Sequence, residues 1–331
     1  MHILKGYTKQ EISWMMYDWA NSAHSVIIVT LLPIFFDTVA GYTADSVSSM
    51  STWGYATSIA MLIVALAAPF LGVFGDIRGM RKKLFSFFML LGVAACAGMA
   101  FTPGMDFTSG PVAAGKVASL ILVLYIVSVI GFDASAIYYD AFLTDVTTED
   151  RMDKVSTMGY GLGYIGGSTI PLLIFLIMNL VGVPMLTCLA FVFGLTAVWW
   201  LAFSLPLLKN CEQTSGKPYE KGDVARSIKG VGTTIKEIIA NKPMLIYILS
   251  YFFYIDGVHT VISMATTYGT NLGLDSTGMM LALLLVQILG LPFCLLYIKC
   301  SEKFGARTMV GFGICVYMFI CIFAFFMNSL W

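Results

Sequence analysis

The sequence predicts an all-α polytopic membrane protein with about nine transmembrane helices, on three observations. Its 331 residues are 58% hydrophobic and 11% charged, whereas about a quarter of the residues of a soluble domain are charged. The apolar residues occur in runs of about 20, the length that a helix needs to cross a bilayer. The Lys and Arg residues lie almost entirely between alternate runs, as the positive-inside rule requires. A formal net charge of zero gives no indication of nucleic-acid binding.

The nine predicted spans favour helices over a barrel, because they are long and lack the alternation of strands. They cover residues 13–37, 52–74, 84–103, 117–139, 157–179, 185–206, 244–269, 277–299 and 308–328. The first six form an N-terminal bundle within residues 1–206, and the last three lie within residues 244–331. Of the 19 Lys and Arg residues, only Lys116 lies on the side opposite the N-terminus. We therefore expect a cytoplasmic N-terminus and a location in the bilayer, which is the cell (inner) membrane if the source is bacterial.

The longest polar stretch, residues 207–243, is a predicted cytoplasmic linker with an amphipathic helix. Its apolar residues recur at spacings of four and three, which places them on one face of a helix: Val224, Ile228, Val231, Ile235 and Ile238. Two placements fit this pattern. The helix either lies on the cytoplasmic membrane surface or packs as a soluble helix on the cytoplasmic loops.

A polar face interrupts the first span, WMMYDWANSAHSV. Asn21 and Ser22 follow Asp18 at three and four positions, so they share its helical face, and His24 lies at the edge of that face. An unpaired charge at bilayer depth costs about 2.5–3.5 kcal/mol on insertion scales, so such a residue is a candidate for function. We expect Asp18, Asn21 and His24 to bind substrate or to transfer protons. For Asp18 a structural role at the membrane interface is the alternative.

The seventh span, YFFYIDGVHTVIS, repeats this face with Asp256, His259, Thr260 and Ser263 at the same offsets. Two homologous halves would produce such a repeat, with the substrate site near the membrane midplane between them. Asp256 and His259 are therefore further candidates for substrate binding or proton coupling. A structural hydrogen bond between helices is the alternative.

Two similar turns follow spans 2 and 8 on the cytoplasmic side, GVFGDIRGMRKK and KCSEKFGAR. Each has the order acid-x-x-Gly-x-basic, in which the glycine permits a tight turn and the acid could cap a helix. We expect these residues to gate the cytoplasmic side, together with two residues of the loop after span 4. The predicted gating residues are Gly72, Asp76, Gly79, Arg81, Asp145, Arg151, Glu302 and Arg307.

The first of these turns resembles the signature of the major facilitator superfamily. FLTDVTTEDRMDKVSTMGYGLGYIGG, LALLLVQILGLPFCLLYIKCSEKFGAR and the two spans with polar faces resemble one branch of it, which contains the fungal vacuolar amino-acid effluxer of autophagy and its bacterial relatives. The resemblance covers nearly the whole chain. It implies a twelve-helix fold and alternating-access transport of a small solute, amino acids first, with efflux favoured. Since nine spans are present, the C-terminal bundle (244–331) is expected to be incomplete, so the chain is either truncated or requires a partner.

Three further features leave alternatives open. Asp133 lies in span 4 where relatives more often have a neutral polar residue, and it is either an additional proton site or a partner of Arg78 or Arg81. Gln287 in span 8 is either a site residue or a packing residue. The glycines of span 5 should let helices approach closely, and Pro171 could kink that span.

The sequence thus predicts a secondary transporter whose two bundles rock around a site on spans 1 and 7. Protons could couple through Asp256, His259 or Asp18. A sugar or peptide cation symporter is the alternative within transport, and a non-transporting membrane receptor or scaffold is the alternative outside it. We expect no enzymatic activity and no cofactor or metal, because the sequence has no P-loop, no HExxH and no Ser/His/Asp arrangement.

Overall fold

The computed structural model describes residues 4–43, 46–216, 218, 223–271 and 276–326, and these residues form a helical bundle. Nine segments of this described part are long and apolar enough to cross a membrane, which confirms the predicted number of spans. The eleven helices are α1 (Lys9–Ala40), α2 (Ser46–Gly75), α3 (Met80–Met99), α4 (Pro111–Val146), α5 (Met152–Leu162), α6 (Ile170–Leu180), α7 (Met185–Asn210), α8 (Asp223–Ala240), α9 (Lys242–Asn271), α10 (Ser276–Phe304) and α11 (Ala306–Phe325).

Helix α1 is the central helix of the N-terminal bundle, where it packs against α4, α5 and α7. A capping box starts it, since the Glu11 amide donates to Thr8 Oγ1 at 3.1 Å and the Thr8 amide donates to Glu11 Oε2 at 2.7 Å. Large side chains fill the space between α1 and its neighbours, and Tyr17, Phe85 and Trp200 are fully buried there. This bundle therefore forms the hydrophobic core of the described structure.

Span 5 is not one regular helix. Residues Gly163–Thr169 form a π-helical segment between α5 and α6, so the irregularity precedes Pro171 instead of beginning at it. Proline has no N–H to donate, which favours a change of hydrogen-bond register in the turn before it. Thr169 Oγ1 donates to the Tyr164 carbonyl at 2.8 Å within this segment.

The glycines of span 5 bring helices together, as predicted. A Cβ on Gly163 would come within 2.5 Å of Ser22 Oγ, and a Cβ on Gly161 would come within 2.8 Å of Leu291. The first contact joins span 5 to α1, and the second joins it to α10. The two bundles therefore meet where α10 packs against α5 and the π-helical segment.

The predicted amphipathic helix is confirmed as a helix, α8, over Asp223–Ala240. It packs against α2 and α9. Its apposition to the membrane surface stays a prediction.

Candidate functional site

Asp18 lies inside the N-terminal bundle, between α1, α4 and α5. Its side chain is 7% exposed, and Tyr139 Oη on α4 donates to its Oδ2 at 2.8 Å. Trp14 holds Tyr139 in place, because their rings stack 4.3 Å apart and Trp14 Nε1 donates to the Tyr139 carbonyl at 2.9 Å. Gly159 of α5 lies directly against the Asp18 carboxylate. No Lys or Arg of the described residues forms an ion pair with Asp18.

Two further aspartates lie on α4. Asp140 directly follows Tyr139 and is exposed, and Asp133 precedes it by seven residues, which places both on one helical face. Asp133 Oδ2 is buried and has no hydrogen-bond partner among the described residues. The proposed pairing of Asp133 with Arg81 is wrong, because Arg81 pairs with Asp145 and Asp76, and in the described residues Asp133 forms no ion pair with Arg78 either.

His24 lies deeper in the core than its predicted position at the edge of a cavity-facing surface. It is 3% exposed, its Nε2 is 3.3 Å from Ser128 Oγ, and its ring stacks on Phe132 at 4.7 Å. Trp200 of α7 covers it from the other side. The structure thus gives His24 a packing environment, because α7 closes over this face of α1.

Ser22, on the same polar face of α1, is directed at span 5. Asn21 is buried, and Ser22 lies against Gly163 and Gly167 of the π-helical segment. Ser168 Oγ donates to the Ser22 carbonyl at 3.4 Å. Short π-helical segments within α-helices frequently occur at functional sites.

The second predicted polar face, on α9, is not joined to Asp18 through its two ionisable residues in the described part of the chain. Asp256 and His259 on α9 are exposed, and no hydrogen bond or ion pair joins them to Asp18 in the described part of the chain. The side chain of Ser263 lies outside the described residues. Gln287 on α10 is 9% exposed, and its Oε1 has no partner among the described residues. A role for Asp256, His259 or Gln287 in transport therefore stays a prediction.

The turn after α2, the first of the two turns predicted to be cytoplasmic, contains a buried ion pair. The side chains of Arg81 and Asp145 are 5% and 0% exposed, and Arg81 Nη1 contacts Asp145 Oδ2. Arg81 Nη1 also donates to the Ala141 carbonyl at 3.0 Å, and Asp76 lies 3.9 Å from Arg81 Nη2. The predicted association of the turn with Asp145 is therefore present in the structure.

The predicted capping of α3 by Asp76 is wrong. The side chain of Asp76 is 79% exposed. The backbone amides of Gly79 and Arg81 donate instead to Gln213 Oε1, at 2.8 and 3.2 Å. The matching acid of the second turn does not cap α11 either, because Glu302 pairs with Lys154 at 3.6 Å. Gly79 and Gly305 both have a φ of +82°, which favours glycine, but their ψ angles of −3° and 146° differ, so the two turns do not have the same backbone conformation. Gly72 lies one turn before Asp76 in α2, and a Cβ there would meet nothing within 4 Å.

Arg151 belongs to a different ion pair from the one predicted. Its Nε and Nη2 donate to the Glu11 carboxylate at 2.9 and 3.0 Å, and Thr147 Oγ1 donates to Glu11 Oε1 at 2.7 Å. It therefore ties the loop after α4 to the start of α1, separately from Arg81. Arg307 forms no ion pair among the described residues. Sequence reasoning missed Glu11, although its capping box is a local signal, and missed Tyr139 and Gln213, for which we find no local signal.

We expect Arg151→Met to lower the free energy of unfolding by about 1–3 kcal/mol, because it leaves the buried Glu11 carboxylate without its cation. Lys154→Met is the control, since the Lys154–Glu302 pair is exposed on both sides and such pairs contribute little. Melting temperatures in detergent compare the two variants. Equal shifts would show that Arg151 contributes no more than a surface residue.

The family model described as "Vacuole effluxer Atg22 like" matches residues 41–152 and 144–330. The uncharacterized MFS-type transporter YxiO of Bacillus subtilis is 39% identical over 335 residues, which are 99% of this chain and 76% of that protein. Autophagy-related protein 22-1 of Penicillium rubens is 24% identical over 177 residues, 50% of this chain and 30% of that protein. A crystal structure of a D-xylose-proton symporter has a TM-score of 0.52 at 14% identity over 89% of this chain and 69% of that one, a likeness that shows the fold alone.

Proposed function

Because the chain belongs to the family of Atg22-like vacuole effluxers, we propose that it exports amino acids by proton-coupled alternating access. The chain is a multi-pass integral membrane protein with the major facilitator fold, and a transporter of that type. Efflux is supported by the family description, and amino acids by the resemblance of the four segments quoted above. The proposal includes a cytoplasmic N-terminus and the cell (inner) membrane if the source is bacterial, supported by the distribution of Lys and Arg.

The observation that carries the proposal is the buried Asp18 carboxyl group. It lies within a membrane-spanning helix, hydrogen-bonded to Tyr139, with no cation paired to it among the described residues. An ionisable group held inside a membrane without a counter-ion is by default a candidate for proton transfer or for contact with a substrate. Asp140 follows Tyr139 on α4, and Asp133 lies seven residues before Asp140, farther from the predicted cytoplasmic end. A proton would therefore meet more than one carboxyl group along α4.

The proposed cycle uses the contact between the bundles. Glycines and the π-helical segment of span 5 lie against α1 on one side and against α10 on the other. Small residues let these helices approach closely, and in the proposed cycle the helices move against each other at this contact. The ion pairs of Arg81 and Asp145, and of Lys154 and Glu302, lie at the cytoplasmic end of the bundles and would separate or re-form as that end opens and closes.

We expect Asp18→Asn and Asp256→Asn each to reduce proton-driven amino-acid flux at least about tenfold, since the amide keeps the shape of the side chain and cannot take up a proton. Reconstituted vesicles with an imposed pH gradient and a panel of labelled amino acids provide the measurement. Asp106→Asn is the matched control, because Asp106 is exposed in the loop between α3 and α4.

The two variants separate the parts of the proposal. Normal pH-dependent flux in both would refute coupling through spans 1 and 7, and a loss confined to Asp18→Asn would restrict it to the N-terminal bundle. Flux of sugars or peptides without flux of amino acids would favour the alternative symporter. No flux of any solute would favour a receptor or scaffold.

A further inference from the structure

The chain returns to the cytoplasmic face of the N-terminal bundle immediately after α7. We call residues Cys211–Gly216 the linker clasp. Gln213 is its centre, because its one amide group satisfies three backbone groups of the first cytoplasmic turn. Its Oε1 accepts from the amides of Gly79 at 2.8 Å and Arg81 at 3.2 Å, and its Nε2 donates to the Gly75 carbonyl at 2.9 Å.

The next two residues of the clasp fix the carboxylate that pairs with Arg81. Asp145 Oδ1 accepts from the Thr214 amide at 3.1 Å, from Thr214 Oγ1 at 2.8 Å and from the Ser215 amide at 2.9 Å. This leaves Oδ2 for Arg81, which also donates to Ser215 Oγ at 3.2 Å. Lys82 Nζ donates to the Cys211 carbonyl at 3.1 Å on the other side of the turn. The clasp therefore contacts both members of the buried ion pair.

The backbone at the end of the clasp also fits the turn closely. Gly216 has a φ of +113°, a conformation that favours glycine. A Cβ on Gly216 would come within 2.6 Å of the Asp76 carbonyl and within 2.9 Å of Gln213 Nε2. The clasp thus lies in direct backbone contact with the turn.

We propose that Gln213 is a positioning residue of the cytoplasmic gate. Helix α3 begins at the turn without a side-chain cap of its own at Gly79, so the conformation of residues 75–81 depends on a residue that belongs to the linker between the bundles. The amide side chain offers an acceptor with two lone pairs and a donor on two separate atoms, which matches the two amides and the carbonyl that it contacts. The linker then does more than join the bundles, because it holds Arg81 and Asp145 in pairing distance. This inference rests on the proposed function for the statement that the turn gates transport.

The test uses two side chains of equal length. Gln213→Met fills the same space without any hydrogen bond, and Gln213→Glu keeps the acceptor and loses the donor. Glu212→Ala is the control, since Glu212 is the exposed neighbour and makes no hydrogen bond or ion pair in the described part of the chain. Each is placed in a full-length background that carries Lys154→Cys and Glu302→Cys, whose original side chains pair across the two bundles.

Closure of the cytoplasmic side is read as the rate at which a short bis-maleimide links positions 154 and 302. The linked peptide is quantified by mass spectrometry, which distinguishes it from products of the native cysteines. We expect Gln213→Met to slow linking about tenfold, because it removes hydrogen bonds whose net contribution is about that of one to two ordinary ones. The linking rate of Gln213→Glu should lie between those of Gln213→Met and the wild type. Glu212→Ala should link at the wild-type rate. The amount of folded protein, measured by size-exclusion chromatography, normalises each rate. Linking of Gln213→Met at the control rate would overturn the proposal.

Gly216→Ala keeps every hydrogen-bonding side chain and displaces the clasp through its backbone, so it decides the matter if Gln213→Met fails to fold. We expect the same slowing, and control-like linking in this variant would overturn the proposal as well. The rate of linking requires no substrate. If the wild-type protein transports no amino acid, the proposed function fails while the linking rates still decide the role of Gln213.

Discussion

Gly131→Ala is expected to lower the free energy of unfolding by about 3 kcal/mol, whereas Gly115→Ala on the same helix should leave it nearly unchanged or raise it slightly. The difference comes from what an added methyl group would meet. At Gly131 it would lie 2.5 Å from the Gly92 nitrogen, 2.7 Å from the Gly92 Cα and 2.8 Å from the Phe88 carbonyl. At Gly115 it would meet no atom within 4 Å.

The contacts at Gly131 cannot relax by a change of rotamer, because all three atoms belong to the backbone of α3. Gly92 is confined from its other side, where the ring of Trp200 leaves no room for a side chain either. The axes of α3 and α4 would therefore have to separate, and the packing of Trp200 and Tyr17 in the core would loosen with them. Thermal melting of both variants in detergent measures the effect. Equal melting temperatures would show that α3 and α4 do not cross as closely as the structure indicates.

The positions of the helices could be predicted from the sequence because bilayer thickness sets the length of an apolar run. All nine predicted spans are present in the described residues. The close contacts of span 5 with its neighbours could also be predicted, because repeated small residues in a membrane helix permit close helix packing. The π-helical register of Gly163–Thr169 could not be predicted, because it depends on how α1 and α10 fit against that segment.

The site was predicted less well, for a geometric reason. Helical periodicity places Asp18 and Asn21 on a shared face of α1, but it does not show which neighbour covers that face. His24 illustrates the limit, because Phe132 and Trp200 enclose it from helices more than 100 residues away. Its burial depends on long-range packing that one helix does not encode.

The charged residues show the same limit at the helix ends that the sequence assigns to the cytoplasm. Sequence order suggested that Asp76 would cap α3 and that Arg151 would join Asp145. The cap comes from Gln213, and Arg151 pairs with Glu11, 140 residues away in sequence. Spacing predicts local partners, whereas these polar groups are satisfied by segments that the fold brings back to them.

Replacement of Arg81 by Met is expected to have the largest effect on function. The Asp145 carboxylate is completely buried, and without Arg81 it would keep hydrogen bonds from Thr214 and Ser215 but lose its counter-ion. Breaking a buried pair by removing one partner costs about 3–5 kcal/mol. Arg81→Lys should recover only part of this, because an ammonium group cannot reproduce the several directed hydrogen bonds of the guanidinium group to Ala141, Ser215 and Asp145.

A double-mutant cycle separates the pair from its surroundings. Asp145→Asn removes the charge and leaves an oxygen that can still accept hydrogen bonds from the clasp. The double variant Arg81→Met/Asp145→Asn should therefore lose less stability than the sum of the two single losses, by at least about 1 kcal/mol. Arg78→Met is the control, since Arg78 is exposed and pairs with no acid in the described residues. Melting temperature reports stability, and flux in vesicles reports transport. Additive effects of the two substitutions would mean that Arg81 and Asp145 act independently, and the buried pair could then not be the element that holds the cytoplasmic gate.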